Sequence, residues 1–467
     1  MNRLCNAMMV AAWSLVCLAG TARAQDQVAL EDLGKRVFFD NISNPARQSC
    51  SSCHDPANGW TGNVAGINKR QVAVTGANPH TVGGRKPPTA AYASFSPKFG
   101  DSPLAGIPTF GPCLTGPGVA GVSCRGGVFW DGRATGTGIG AEVFGGNAAL
   151  ATAYQGFLGP TADQAIGPFP NDVEQNVPNG NDGGLPGAEA VCRHVQNAAY
   201  AELFTFAWGS PIDCEPSGVA LSFKRIAVAI SAWEHSSEIN SFSSRRDIAL
   251  ANDNDDTPHA FPLQGLTSQE NLGHDLFYGR TSALNPTGKN ARCSACHNSE
   301  AATSQGNEPH QLYTDQIFHH IGVPANFQIA NFDPANPDRG LQQFTGIAGH
   351  AGHFRAPTLR NVDKRAGNGF TKAYMHNGYF KSLEDVVHFY NTAAVLSTCA
   401  AGTTAADARK QNCWPAPEIP HAFSARSPTG LVGKLDLTDS EEAAIVAYLK
   451  TLSDTSNVKQ PQPYKKR

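Results

Sequence analysis

Two stretches of the chain place two cysteines and a histidine at one spacing: Cys50-Ser-Ser-Cys53-His54 and Cys293-Ser-Ala-Cys296-His297. This is the attachment pattern of a c-type haem, in which two thiols add to the vinyl groups and the next residue presents an imidazole to the iron. A single copy also occurs as a zinc or thiol-redox motif. Two copies, each preceded by a similar segment and both behind an export-like leader, point to two covalently bound haem c groups. The chemistry is then electron transfer, oxygen-species chemistry, or both.

An iron held by one histidine raises the question of its sixth ligand. A haem that only passes electrons is usually closed by His or Met, whereas one that activates peroxide needs an open face. The chain has four methionines, Met1, Met8, Met9 and Met375. Three lie in the leader, so at most one haem can be a His/Met centre, through Met375.

The leader is residues 1–24. Arg3 makes a positive start, Met8 to Leu18 an apolar run, and Ala22-Arg23-Ala24 a cleavage pattern. The apolar run is too short to span a bilayer, and no later run qualifies, so no membrane insertion is expected. With haem attached after export, the expected location is the periplasm. The formal net charge is −3, and loss of Arg3 and Arg23 makes the remainder more acidic. Nothing in this balance suggests nucleic acid. Of twelve cysteines, Cys5 and Cys17 leave with the leader and four belong to the haem motifs. Short loops in an oxidising compartment favour pairing the other six as Cys113–Cys124, Cys192–Cys214 and Cys399–Cys413.

The elements that must position these groups show an internal repeat. Leu33-Gly34-Lys35-Arg36-Val37-Phe38-Phe39 begins 17 residues before the first motif, and Leu272-Gly273-His274-Asp275-Leu276-Phe277-Tyr278 begins 21 before the second. Each reads as the end of an amphipathic helix; in the first, Leu30, Leu33, Val37 and Phe38 form the stripe. Residues 219–239 predict a helix with Phe223, Ile226, Ile230 and Trp233 on one face. Thr438 to Glu441 is a capping box before a last helix striped by Ile445, Leu449 and Leu452. Segments 99–128 and 176–218 read as loop insertions. The fold class is mainly α: two cytochrome c-like domains with long loop insertions, the N-terminal at 25–240, a linker at 241–269, the C-terminal at 270–456, and a polar tail at 457–467.

Further motifs carry a resemblance. They are LGKRVFFD at Leu33, Phe129-Trp130-Asp131-Gly132-Arg133, the run from Gln164 to Glu174, Ala356-Pro357-Thr358-Leu359-Arg360-Asn361, and Tyr374-Met375-His376-Asn377-Gly378. With the two haem motifs, the chain resembles the bacterial dihaem cytochrome c peroxidase and MauG superfamily from Leu33 to Leu452. The resemblance implies a peroxide-reactive haem on His54, with Glu174 over its distal face as general acid/base. Moving a proton between peroxide oxygens is work a carboxyl in a partly dry pocket can do. Gln164 and Pro168 would line the same pocket, and Trp130 would relay electrons between the haems. Arg133 and Arg360 would serve propionates or ion pairs. The haem on His297 would store the second electron.

In peroxidases of this kind a methionine lies fourteen residues after the His of the Tyr-x-His-x-Gly segment. Here that position, counted from His376, is Tyr390, as in the MauG-type pattern; an anionic oxygen ligand lowers the potential and a thioether raises it. Tyr390 is the expected ligand of the second iron and Met375 the rival. A run that in the family supplies an interhaem calcium reads Arg85-Lys86-Pro87-Pro88-Thr89 here. An ammonium cannot bind calcium, which places calcium in doubt. His80 lies near the region where some members carry a distal histidine. The expected function is an exported peroxidase that reduces hydrogen peroxide with electrons from a small c-type cytochrome or a cupredoxin. The alternatives are a MauG-type oxidase that modifies side chains of a partner protein substrate through a high-valent haem pair, and a non-catalytic dihaem electron-transfer cytochrome.

Overall fold

The helix over 27–39 and the helix Val219–Glu234 cross at a glycine. A Cβ on Gly34 would stand 1.9 Å from the Ala229 carbonyl oxygen, so only glycine permits the contact. The same crossing recurs between the helices Ser268–Tyr278 and Asp439–Lys450, where a Cβ on Gly273 would stand 2.0 Å from the Ala444 carbonyl oxygen. The Leu-Gly repeat thus marks two equivalent helix crossings, each a short distance before a Cys-x-x-Cys-His turn. The structure, a computed structural model, describes residues 27–100, 124–256, 259–298, 306–367, 369–420 and 432–466. The leader, Cys113 and the Cys113–Cys124 pairing lie outside the described residues.

The stripes read from the sequence are the buried faces. Leu30, Leu33, Val37 and Phe38 are 2 % exposed or less, as are Phe223, Ile226, Ile230 and Trp233. Each such side chain contributes about 1.5–3 kcal/mol of apolar burial. Two large apolar clusters result, one within 29–239 and one within 249–452, with a small third of Cys124, Phe318 and Leu341. Among the described residues, strand is confined to two short pairs, Phe318–His319 antiparallel to Phe354–Arg355 and Ser397–Thr398 parallel to Cys413–Trp414. The chain is mainly helical. Cys192–Cys214 and Cys399–Cys413 are bonded as expected.

Two expectations need correction, and the linker and tail segments carry structure beyond their sequence description. The helix predicted over 219–239 stops at Glu234, where the Asn240 side chain donates to the Glu234 carbonyl at 2.8 Å. The stretch 176–218 is not only loop: it contains the helices Ala188–Asn197 and Glu202–Trp208. Within the expected linker 241–269, Arg245–Ala251 is helical, started by a Ser244/Asp247 capping box. This helix is packed, not free: the Arg246 guanidinium is fully buried and donates to the carbonyls of Gly306 and Glu308. The tail also packs. Val458 and Tyr464 lie against the first cluster, the Arg36 guanidinium donates to the Gln462 carbonyl at 3.0 Å, and the Tyr464 phenol donates to Glu202 at 2.7 Å.

Candidate active site: two cavities and the residues between them

Both Cys-x-x-Cys-His segments fold as one 3-10 turn followed by the histidine, whose amide donates to the first cysteine's carbonyl at 3.0 Å in each copy. The four thiols are unpaired. Burial pushes Cys50, Cys53 and Cys293 up to about 12, so they are neutral thiols beside apolar walls. His54 Nδ1 lies 3.2 Å from the Trp60 carbonyl and His297 Nδ1 lies 2.9 Å from the Tyr313 carbonyl. Those carbonyls fix the Nδ1–H tautomer and leave Nε2 as the basic nitrogen, which is how a protein orients a ligating imidazole. Burial lowers the pKa of both rings, which keeps them neutral. Paired thiols, a neutral imidazole and a roomy apolar cavity at each site fit a haem held by two thioethers.

The first cavity is lined by Cys50, Cys53, His54, Gln164, Pro168 and Glu174. Gln164 comes from the helix Pro160–Ile166. Glu174 is held on a turn by its backbone: its amide donates to the Asn171 carbonyl at 3.0 Å, and its carbonyl accepts from the Ala77 amide at 2.6 Å. Its carboxyl makes no hydrogen bond among the described residues. Burial raises its pKa, with the Arg133 guanidinium pulling the other way. A carboxyl so placed can carry a proton to a ligand in the cavity. Arg133 pairs with Asp131 at 2.9 Å, and Arg360 with Asp247 at 2.7 Å. His80 is exposed on a turn and does not line the cavity, so it is not placed as a ligand.

The second cavity is lined by Cys293, Cys296, His297, Met375 and Tyr390. Tyr390 stands on the helix Leu383–Thr392, while Met375 sits in a turn with φ +69°. Both reach this cavity. Trp130 and Lys86 line both cavities. The Trp130 indole N–H donates to the Lys86 carbonyl at 2.7 Å, and the Lys86 ammonium donates to Thr61 Oγ1 at 2.9 Å and the Pro87 carbonyl at 3.1 Å. Burial pushes the Lys86 pKa down to about 8.

Several residues escaped the sequence reading. Lys372, which also lines the second cavity, is buried with its ammonium on three backbone carbonyls, Asn58 at 2.9 Å and Asn361 and Lys364 at 3.0 Å. Glu234 is a buried acid lining the first cavity. It follows Ile230 by one helical turn, so a charge on an apolar stripe was the available signal. His319 Nε2 lies 2.8 Å from Asp315 beside Cys296. Burial alone would lower this histidine, but Asp315 outweighs it and holds the ring protonated.

Residues 28–255 match the family described as di-haem cytochrome c peroxidase. This match, with the relatives and solved structures that follow, supports the dihaem cytochrome c peroxidase and MauG family for the chain. Among this family's curated members, the methylamine utilization protein MauG of Paracoccus denitrificans (strain Pd 1222) is 28% identical over 94% of this chain and 93% of its own length. The cytochrome-c peroxidase IdrP2 of Pseudomonas sp. (strain SCT) is 23% identical over 82% of this chain and 78% of its own. The crystal structure of the diheme peroxidase BthA from Burkholderia thailandensis E264 superposes with a TM-score of 0.59 at 26% identity, covering 91% of this chain and 86% of that one. A MauG-like protein associated with microbial copper homeostasis gives 0.56 at 25% identity, covering 92% and 90%. Dihaem family members named peroxidase or MauG are oxidoreductases, and this chain is an oxidoreductase of that family.

Proposed function

We propose that this chain is an exported, periplasmic dihaem c-type peroxidase that reduces hydrogen peroxide to water with electrons from a small c-type cytochrome or cupredoxin. The observation that carries the reading is the asymmetry of the two cavities. Glu174, a carboxyl without a hydrogen-bond partner, faces only the first, and Trp130 lines both. Haem attached at Cys50/Cys53 and Cys293/Cys296, with His54 and His297 as ligands, would supply the iron chemistry at peroxide and the storage of electrons. Glu174 would take a proton from one peroxide oxygen and return it to the other. Gln164 and Pro168 wall the pocket around it. Trp130, held by the Lys86 carbonyl, stands between the two centres as an electron relay.

Calcium has no role in this reading, because Lys86 and Lys372 already place positive charge beside the second cavity. A non-catalytic electron-transfer cytochrome fits less well, since it leaves the Glu174 carboxyl without work. A second catalytic reading, a MauG-type oxidase acting on a partner protein, is favoured by one observation, Tyr390 on the second cavity. The test is steady-state peroxide consumption by the holoprotein with a reduced small cytochrome. Turnover that falls with Glu174→Gln is the expected result. Peroxide-dependent spectral change without turnover of any small redox donor would favour the oxidase.

A further inference from the structure

The first cavity has an aromatic connection to the surface that does not pass through Trp130. Phe38 lines the cavity, and its ring centroid lies 4.8 Å from that of Trp233 and 6.0 Å from that of Trp60. Trp60 and Trp233 are 5.6 Å apart, centroid to centroid. Trp60 is also the residue whose carbonyl holds His54 Nδ1. At the far end, the Trp233 indole N–H donates at 3.0 Å to the carboxylate of Glu238, whose side chain is 47% exposed and pairs with Lys35 at 2.7 Å.

Resting on the peroxidase reading, we propose that Trp233 is a second redox-active tryptophan, serving the first cavity, with Glu238 as the acceptor of its indole proton. The hydrogen-bond partners of the tryptophans separate their roles. An indole that loses an electron becomes a strong acid at its N–H. Trp130 donates to a backbone carbonyl, which cannot take that proton. Trp60 has no partner for its indole N–H among the described residues. Trp233 alone of the three donates to a carboxylate, and that carboxylate touches solvent.

Hydrogen peroxide takes two electrons and, from solvent water, two protons, and becomes two waters. Without an external donor, Trp233 supplies one of those electrons toward the first cavity, and its N–H proton goes to Glu238. A neutral indolyl radical and a carboxylic acid remain. With haem bound, the second cavity would supply the other electron. A reduced one-electron donor then returns an electron to the indole, and Glu238 returns the proton.

The test is freeze-quench EPR of the holoprotein mixed with hydrogen peroxide and no donor, from cells grown with natural or ring-deuterated tryptophan. The expected signal narrows on deuteration, persists in Trp130→Phe and is lost in Trp233→Phe. In Glu238→Gln, which keeps an acceptor but cannot take the proton, the neutral radical should fall roughly tenfold or more. A signal that survives Trp233→Phe overturns the proposal, as does a changed visible spectrum with no tryptophan radical. Should Trp233→Phe fail to fold, an undiminished radical in Glu238→Gln overturns it. A visible spectrum that peroxide leaves unchanged would instead sink the peroxidase reading and the relay with it.

Discussion

The Lys86 amide donates to the His376 carbonyl at 2.7 Å, while the Lys86 carbonyl accepts the Trp130 indole N–H at the same distance. One peptide segment therefore ties the tryptophan shared by both cavities to the turn that carries Met375. Lys86 contributes backbone atoms only, so the tie does not depend on which side chain stands at 86.

Glu174→Gln should retain both haems and the fold yet slow the reaction with peroxide by about 10²–10⁴, the range for a positioned acid/base. Stopped-flow mixing measures it. An unchanged rate would leave Glu174 a packing residue.

Tyr390 and Met375 both line the second cavity, and their spectra differ. With Tyr390 on the iron, the oxidised protein should be low-spin at that centre, hard to reduce, and reactive with peroxide as isolated. Tyr390→Phe should convert the centre to high-spin or let Met375 or water bind. A near-infrared methionine–iron band in the wild type, with reaction only after half-reduction, would make Met375 the ligand.

Lys372 donates to three carbonyls at once, which only the ammonium form can do. Lys372→Met strands those oxygens and should cost on the order of 3 kcal/mol in urea unfolding. Because Lys86 and Lys372 repel each other and would repel a divalent cation, EDTA should leave spectrum and turnover unchanged. Activity lost on chelation and restored by calcium alone would refute this.

Glu234 gives a pH dependence of defined sign. Burial pushes its pKa from an ordinary 4.5 to about 8. The folded protein keeps a proton that the unfolded chain releases, so stability is intact below the ordinary value and is lost as pH rises through about 8, by about 1.4 kcal/mol per pH unit inside that window. Glu234→Gln should remove this slope, and its stability relative to wild type should improve between about pH 5 and about pH 8. A gap that stays constant would show that Glu234 does not titrate there.

The parts of this protein written in side-chain identity were legible. Both Cys-x-x-Cys-His turns, the two helices that carry the Leu-Gly repeat and the striped helices follow from spacing. Gln164, Pro168 and Glu174 were found through a motif and do line one cavity. What escaped was written in backbone. The acceptors of Lys372 are carbonyls, which carry no residue signature. The helix Arg245–Ala251 was hidden by its charges: Ser-Ser-Arg-Arg-Asp looks solvated, yet Arg246 and Asp247 are consumed by internal carbonyls and by Arg360.

The tail contacts have a consequence for the order in which the molecule is made. Residues 458–464 cover the helix over 27–39, so the earliest described element receives its cover from residues made only after both haem-motif segments. The first half can collapse beforehand, but its outer face stays bare until residues 458–464 have been made. A truncation after Ser456 would therefore uncover Arg36 and Glu202 near the start of the fold, while every residue lining the second cavity stayed in place.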